Sequence, residues 1–205
     1  MTQQHADNYG QTPSQIVGPY FAYSLAAAQY GYSLAHDFGQ VFDAVVALDA
    51  ARGERIRIEG RVLDGEGTPI PDALVEISQP DGTGSYPQSP EDAQARGFRA
   101  FGRSGTGTDA QRRFHFLTVK PGAEEPGHAP HINAIVTMRG LLLHVFTRIY
   151  FDDETEANAA DPVLAAVPAE RRSTLIARRS ERGGEVVYRF DIHMQGPQET
   201  VFFDL

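Results

Sequence analysis

The sequence predicts a mostly β protein: an antiparallel β-sandwich core with an N-terminal arm and one short helical insertion. Three observations carry that expectation. Apolar and polar residues alternate with period two over several short runs, Gly, Pro and Asp cluster between those runs, and the strand–helix–strand rhythm of a parallel sheet is missing.

Residues 1–11 are polar. The next stretch, TPSQIVGPYFAYSLAAAQYGYS, carries Tyr20, Tyr23, Tyr30 and Tyr32 and reads as an arm that docks on its own core or on a partner chain. Val41, Val45, Val46 and Leu48 in 37–51 suit either one helical face or a strand. Residues 56–64 place Ile56, Ile58 and Val62 on one face and Arg57, Glu59 and Arg61 on the other, as a half-buried strand does. A Gly/Pro/Asp turn follows, then a strand over 73–78. The run 79–111 reads as a long loop, and long loops inside compact folds are often functional. Strands are expected at 112–119, 131–138, 143–151, 185–194 and 200–205, giving seven in all. Between them, 152–184 is an excursion with a helical stretch started by Pro162 and Pro168. Residues 1–205 read as a single domain, with 1–54 as the arm and partner-contacting segment and 55–205 as the core.

Composition narrows the function. A chain of 205 residues buries roughly 70% of its unfolded surface and needs no cross-link. The absence of Cys excludes a thiol nucleophile and Cys-ligated metal. With 18 Lys and Arg against 27 Asp and Glu, a net charge of -9 argues against nucleic-acid and anionic-membrane partners. No basic leader, long apolar run or nucleotide-binding motif is present, and the chain reads as cytoplasmic.

Candidate site residues are few. His131 opens a strand, and a strand presents two side chains to one metal at positions two apart; here the second position is Asn133, whose amide is a poor ligand. Tyr86, in DGTGSYP, is either a surface aromatic, a hydrogen-bonding clamp or a phenolate ligand for a hard ferric ion. Arg139, beside Gly140 in an expected hairpin turn, is either a solvated turn residue or a guanidinium fork for a carboxylate. GRSGTGTDAQ is glycine-rich but lies between strands, so it reads as a flexible loop rather than a phosphate cradle.

Taken in order, TPSQIVGPY, FGRSGTG, FHFLTVKPG, PHIN, TRIYFDDE and YRFDIHMQG through ETVFFD resemble the intradiol ring-cleavage dioxygenases, from about residue 12 to the end of the chain. The resemblance implies a β-sandwich and, for the members built of two related chains, a beta subunit that holds Fe(III) through two tyrosines and two histidines. Carried across, Tyr86 matches the first tyrosine and His131 the first histidine. Ala123, Glu124 and Glu125 follow KPG where the second tyrosine belongs, and Asn133 replaces the second histidine. The implied reading is a vestigial iron site made of Tyr86, Glu124, His131 and Asn133, with no metal bound by this chain and the iron in its partner. Ile16, Gly18, Pro19, Tyr20 and Arg139 then match positions that wall the partner's substrate pocket; Ile16 stands where threonine is common. The implied partners are a homologous beta subunit, a higher αβ oligomer and a small aromatic acid. The implied reaction is cleavage of 3,4-dihydroxybenzoate by O2 to 3-carboxy-cis,cis-muconate. Two alternatives stay open: a self-sufficient catechol-type enzyme, and a non-catalytic β-sandwich interaction module.

Overall fold

The computed structural model describes residues 16–18, 20–32 and 43–204. Among these residues, nine strands form one sheet: β1 (Arg55–Leu63), β2 (Leu74–Ser78), β3 (Phe101–Gly105), β4 (Arg113–Val119), β5 (His131–Thr137), β6 (Val145–Phe151), β7 (Ile176–Arg182), β8 (Glu185–Arg189) and β9 (Ile192–His193). The order is β3-β2-β5-β6-β7-β8-β1-β4, with β9 paired to β1. Its two ends approach each other, since the His115 amide of β4 donates to Ser104 Oγ of β3 across 3.1 Å. The sheet is thus nearly closed around one core, in which Ile56, Ile58, Phe114 and Phe116 meet Val75, Ile77, Ile132, Val136 and Ile149. The mostly β expectation holds, but not the purely antiparallel one. β8 and β9 run parallel to β1, and β6 runs parallel to β7.

Several elements correct the sequence reading. The 79–111 run is not one loop. It holds a helix, α2 (Pro90–Arg96), capped by Ser89, and then strand β3. Gly105 in β3 is a packing position, because a Cβ there would meet Tyr30 Oη at 2.2 Å. The 152–184 excursion contains α3 (Thr155–Ala160) and α4 (Pro162–Ala166), then a 3-10 turn and strand β7. Pro162 starts α4, whereas the second helical piece begins at Arg172 rather than at Pro168. β7 turns into β8 through Gly183 and Gly184, both at positive φ, a two-residue pattern that favours a primed hairpin turn.

The expected strand 185–194 is broken at Phe190 and Asp191. There the Phe190 carbonyl passes over Gly60, and the Arg61 amide bonds to Asp191 Oδ1 at 2.9 Å in place of a backbone partner. Residues 200–204 form no strand beyond a bridge from Phe203 to Phe146. The run 43–51 makes isolated bridges, Val45 to Leu117 and Ala47 to Phe98, and residues 37–42 lie outside the described set.

The described part of the arm docks on its own core. A short helix, α1 (Phe21–Leu25), packs Ala22 and Ala26 on Leu74. Gln29 then pairs with both backbone groups of Gly105, which satisfies the edge of β3.

Candidate functional site

The structure gathers the sequence-predicted residues into two groups at opposite ends of β5. Alternation along β5 turns Ile132, Ala134 and Val136 inward, which sends His131 and Asn133 to the other face. Register sets Tyr150 beside His131, and Arg148 and Ser78 beside Asn133. Over this outer face lies the 155–175 segment, burying Tyr150 with Leu164, Val167 and Leu175.

In the first group, the Tyr86 hydroxyl donates to Glu124 Oε1 at 2.8 Å, while Ser78 and Asn133 also hydrogen-bond that phenol. Burial, and after it the Glu124 carboxylate, pushes the Tyr86 phenol far above its ordinary range. Among the described residues, Asn133 Oδ1 is buried without a hydrogen-bond partner. His131 Nδ1 lies 2.9 Å from the Ala129 carbonyl, to which it donates. Burial lowers the His131 pKa, with the Arg148 guanidinium acting in the same direction, so the ring is held neutral.

Asp161 organises the approach to His131, and sequence reasoning passed it over. Its Oδ1 accepts from the Val163 and Leu164 amides at 2.9 and 2.8 Å, capping α4. Oδ2 accepts from the Ala129 amide at 2.8 Å, and Tyr150 Oη lies 3.3 Å from Oδ1. Burial opposes ionisation of Asp161, but the three amides outweigh it and its pKa is lowered. The signal was available: Asp-Pro ahead of an apolar run is an N-cap followed by a first-turn proline. His128 is held nearby, 3.7 Å from a carboxylate oxygen of Glu125 and of Asp161.

This donor set does not suit a ferric ion, which favours several anionic oxygen ligands. The phenol keeps its proton and donates a hydrogen bond to Glu124, the second histidine position is a neutral amide, and the Arg148 cation acts on the imidazole. Among the described residues, no group of three or more His, Cys, Asp or Glu side chains converges to hold a metal ion.

The second group lies past the other end of β5. Arg139 sits in the β5–β6 turn, half-exposed, and its Nε donates to the Asp72 carboxylate. At about 3.3 Å per residue, His131 and Arg139 are on the order of 25 Å apart along the chain. Asp72 also raises the Tyr30 pKa, though less than burial does, so the Arg139 turn borders the docked arm. On that arm Tyr23 stacks edge-on to Tyr30 with 4.4 Å between centroids, and Tyr20, Tyr32 and Ile16 are exposed. Leu142 and Leu143, beside Arg139, are exposed as well. Gly18 has open space around it, and Pro19 lies outside the described residues. Among the described residues, no helix is long and apolar enough to cross a membrane.

Comparison with known proteins agrees with this architecture. The family described as "Dioxygenase" matches residues 27–196. The chain belongs to the dioxygenase family, in its intradiol ring-cleaving branch. It is 56% identical to the protocatechuate 3,4-dioxygenase alpha chain of Burkholderia cepacia, over 95% of this chain and 98% of that one. It is 35% identical to the beta chain of the same organism, over 72% of this chain and 67% of that one. An intradiol ring-cleavage dioxygenase from Tetranychus urticae shares the fold, with a TM-score of 0.59 at 20% identity over 79% of this chain and 89% of that chain.

Proposed function

We propose that this chain is the alpha-type subunit of a two-chain intradiol dioxygenase that converts 3,4-dihydroxybenzoate and O2 to 3-carboxy-cis,cis-muconate. It supplies pocket wall and assembly contacts while a homologous beta subunit holds the iron. One observation carries the reading: in a member of this family, Tyr86 is hydrogen-bonded to Glu124 and Asn133, with His131 on the same face of β5 as Asn133, and these donors do not suit a ferric ion. The chemistry at the metal therefore belongs to the partner.

This chain's own part is binding and orientation. Arg139 lies too far from His131 to act on a ligand held there, so its guanidinium meets the carboxylate of a substrate held by the partner. The segment of Ile16, Gly18, Pro19 and Tyr20 approaches the same pocket from the arm, and the exposed Ile16, Tyr20, Tyr32, Leu142 and Leu143 suit burial against the partner chain. In the assembly, higher αβ order follows from repetition of this contact.

The test is reconstitution. Purified alone, the chain is expected to form no ring-cleavage product; mixed or co-expressed with a beta-type chain, it should co-purify and turn over 3,4-dihydroxybenzoate. Turnover by the isolated chain would establish the self-sufficient reading instead.

A further inference from the structure

We infer that Asp72 is a positioning residue: its carboxylate holds Arg139 by Nε, so that both Nη atoms face a ligand's carboxylate. This rests on the reading of Arg139 as the residue that meets the substrate's carboxylate.

The two partners differ in how firmly they are anchored. Asp72 lies between two fixed points. On one side, the Ile70 amide bonds to Val62 O at 2.8 Å and the Ile70 carbonyl accepts from Thr106 Oγ1 at 2.7 Å. On the other, Ala73 donates to Thr106 Oγ1 at 3.2 Å and accepts from the Thr106 amide at 2.9 Å. Arg139 has no such support. Among the described residues its turn is closed by a single long backbone contact, Leu141 N to Met138 O at 3.4 Å, and it is flanked by the exposed Leu142 and Leu143. The Asp72 side chain is 19% exposed and that of Arg139 is 54% exposed. Orientation is therefore imposed by Asp72 on Arg139.

Attachment through Nε decides which edge is left. A guanidinium offers two carboxylate-binding edges, one formed by Nε with an Nη and one by the two Nη atoms. Asp72 occupies the first, and among the described residues Arg139 has no other hydrogen-bond partner. The Nη edge is left as a pair of parallel donors, the arrangement that binds a benzoate carboxylate bidentately. Fixing a flexible side chain before binding removes ordering entropy from the binding step. Asp72 also carries a charge that opposes an anionic ligand, so its acceptor and its charge act in opposite directions and two variants separate them.

The experiment uses the complete two-chain enzyme, with KM and kcat measured for 3,4-dihydroxybenzoate and for catechol, which lacks the carboxylate. Asp72→Ala is expected to raise KM for the carboxylated substrate about threefold to tenfold, with kcat and the catechol KM unchanged. Asp72→Asn keeps an acceptor for Nε and should stay within about twofold of the parent. In an Arg139→Ala background, Asp72→Ala should change nothing further.

If Arg139→Ala leaves discrimination between the two substrates intact, the pocket-wall reading falls, and this inference with it. If Arg139→Ala abolishes discrimination but Asp72→Ala does not weaken it, only the positioning role is overturned. Equal losses with both substrates, or effects of Asp72→Ala that persist without Arg139, would likewise overturn it.

Discussion

Tyr86 and Glu124 satisfy each other: a phenol that would have to lose its proton to ligate a metal instead keeps it and donates a hydrogen bond to a carboxylate 2.8 Å away. That pairing predicts that the isolated chain, incubated aerobically with iron and dialysed, stays colourless. The missing donors can be restored. Glu124→Tyr with Asn133→His supplies a second phenol and a second imidazole beside Tyr86 and His131, and should bring visible phenolate-to-iron absorption and bound iron approaching one per chain. Adding Arg148→Met removes the cation that acts on His131 and should increase retention. Stoichiometric iron in the unmodified chain would refute the donor argument.

His131 makes stability depend on pH in a defined window. Burial holds its pKa below the ordinary 6.5, so as pH falls the unfolded chain takes up the proton first. The contribution is complete above 6.5 and is lost as pH falls toward the folded-state value, below which nothing more is lost. His115, lowered by burial and then by Arg57, adds to the same slope. Unfolding midpoints measured from about pH 8 to about pH 5 should therefore decline below 6.5, and His131→Gln should flatten the decline. An unchanged slope in that variant would remove His131 as its source.

Much of this was legible in the sequence, and the gaps have physical causes. Alternation exposed β1, β2, β4, β5 and β6 because each turns one apolar face inward. β3 was hidden because FGRSG offers two glycines and little apolar side chain, its fit depending on Tyr30 and Phe116 from other segments. β7 was hidden because its residues beyond Ala177 are exposed and charged, although Gly183–Gly184 is a hairpin signal that should have counted against a helix. The break at Phe190 could not be read locally, since its cause is Gly60 on another strand. At the sites, Tyr86, His131, Asn133 and Arg139 could be proposed from residue type and position, and Glu124 only from the family resemblance. Arg148 could not, because only strand register brings it opposite Asn133. Asp72 was invisible for the same kind of reason: a turn places it against Arg139.

Asp161 should be a stability hot spot. Its buried carboxylate caps α4 and fixes the loop that leads into His131. Asp161→Ala strands three amides, and the expected loss is about 2–4 kcal/mol in urea unfolding. Asp161→Asn keeps one oxygen for the cap and should lose less. A loss under about 1 kcal/mol for the alanine variant would show that solvent replaces those bonds.

Gly60 offers the sharpest steric test of the fold. A Cβ at this position would lie 1.7 Å from the Phe190 carbonyl oxygen and 2.9 Å from Phe114 Cζ. The backbone has little freedom to yield, because Phe190 N donates to Glu59 O at 2.9 Å on one side and Arg61 N to Asp191 Oδ1 at 2.9 Å on the other. Gly60→Ala must therefore separate β1 from the β8–β9 junction, at a cost of at least about 3 kcal/mol. Gly67 is the control: it has positive φ but open space around it, so Gly67→Ala should cost only about 1 kcal/mol. Unfolding curves of the two variants should differ accordingly, and equal midpoints would mean that the β1–Phe190 crossing is not as close as described.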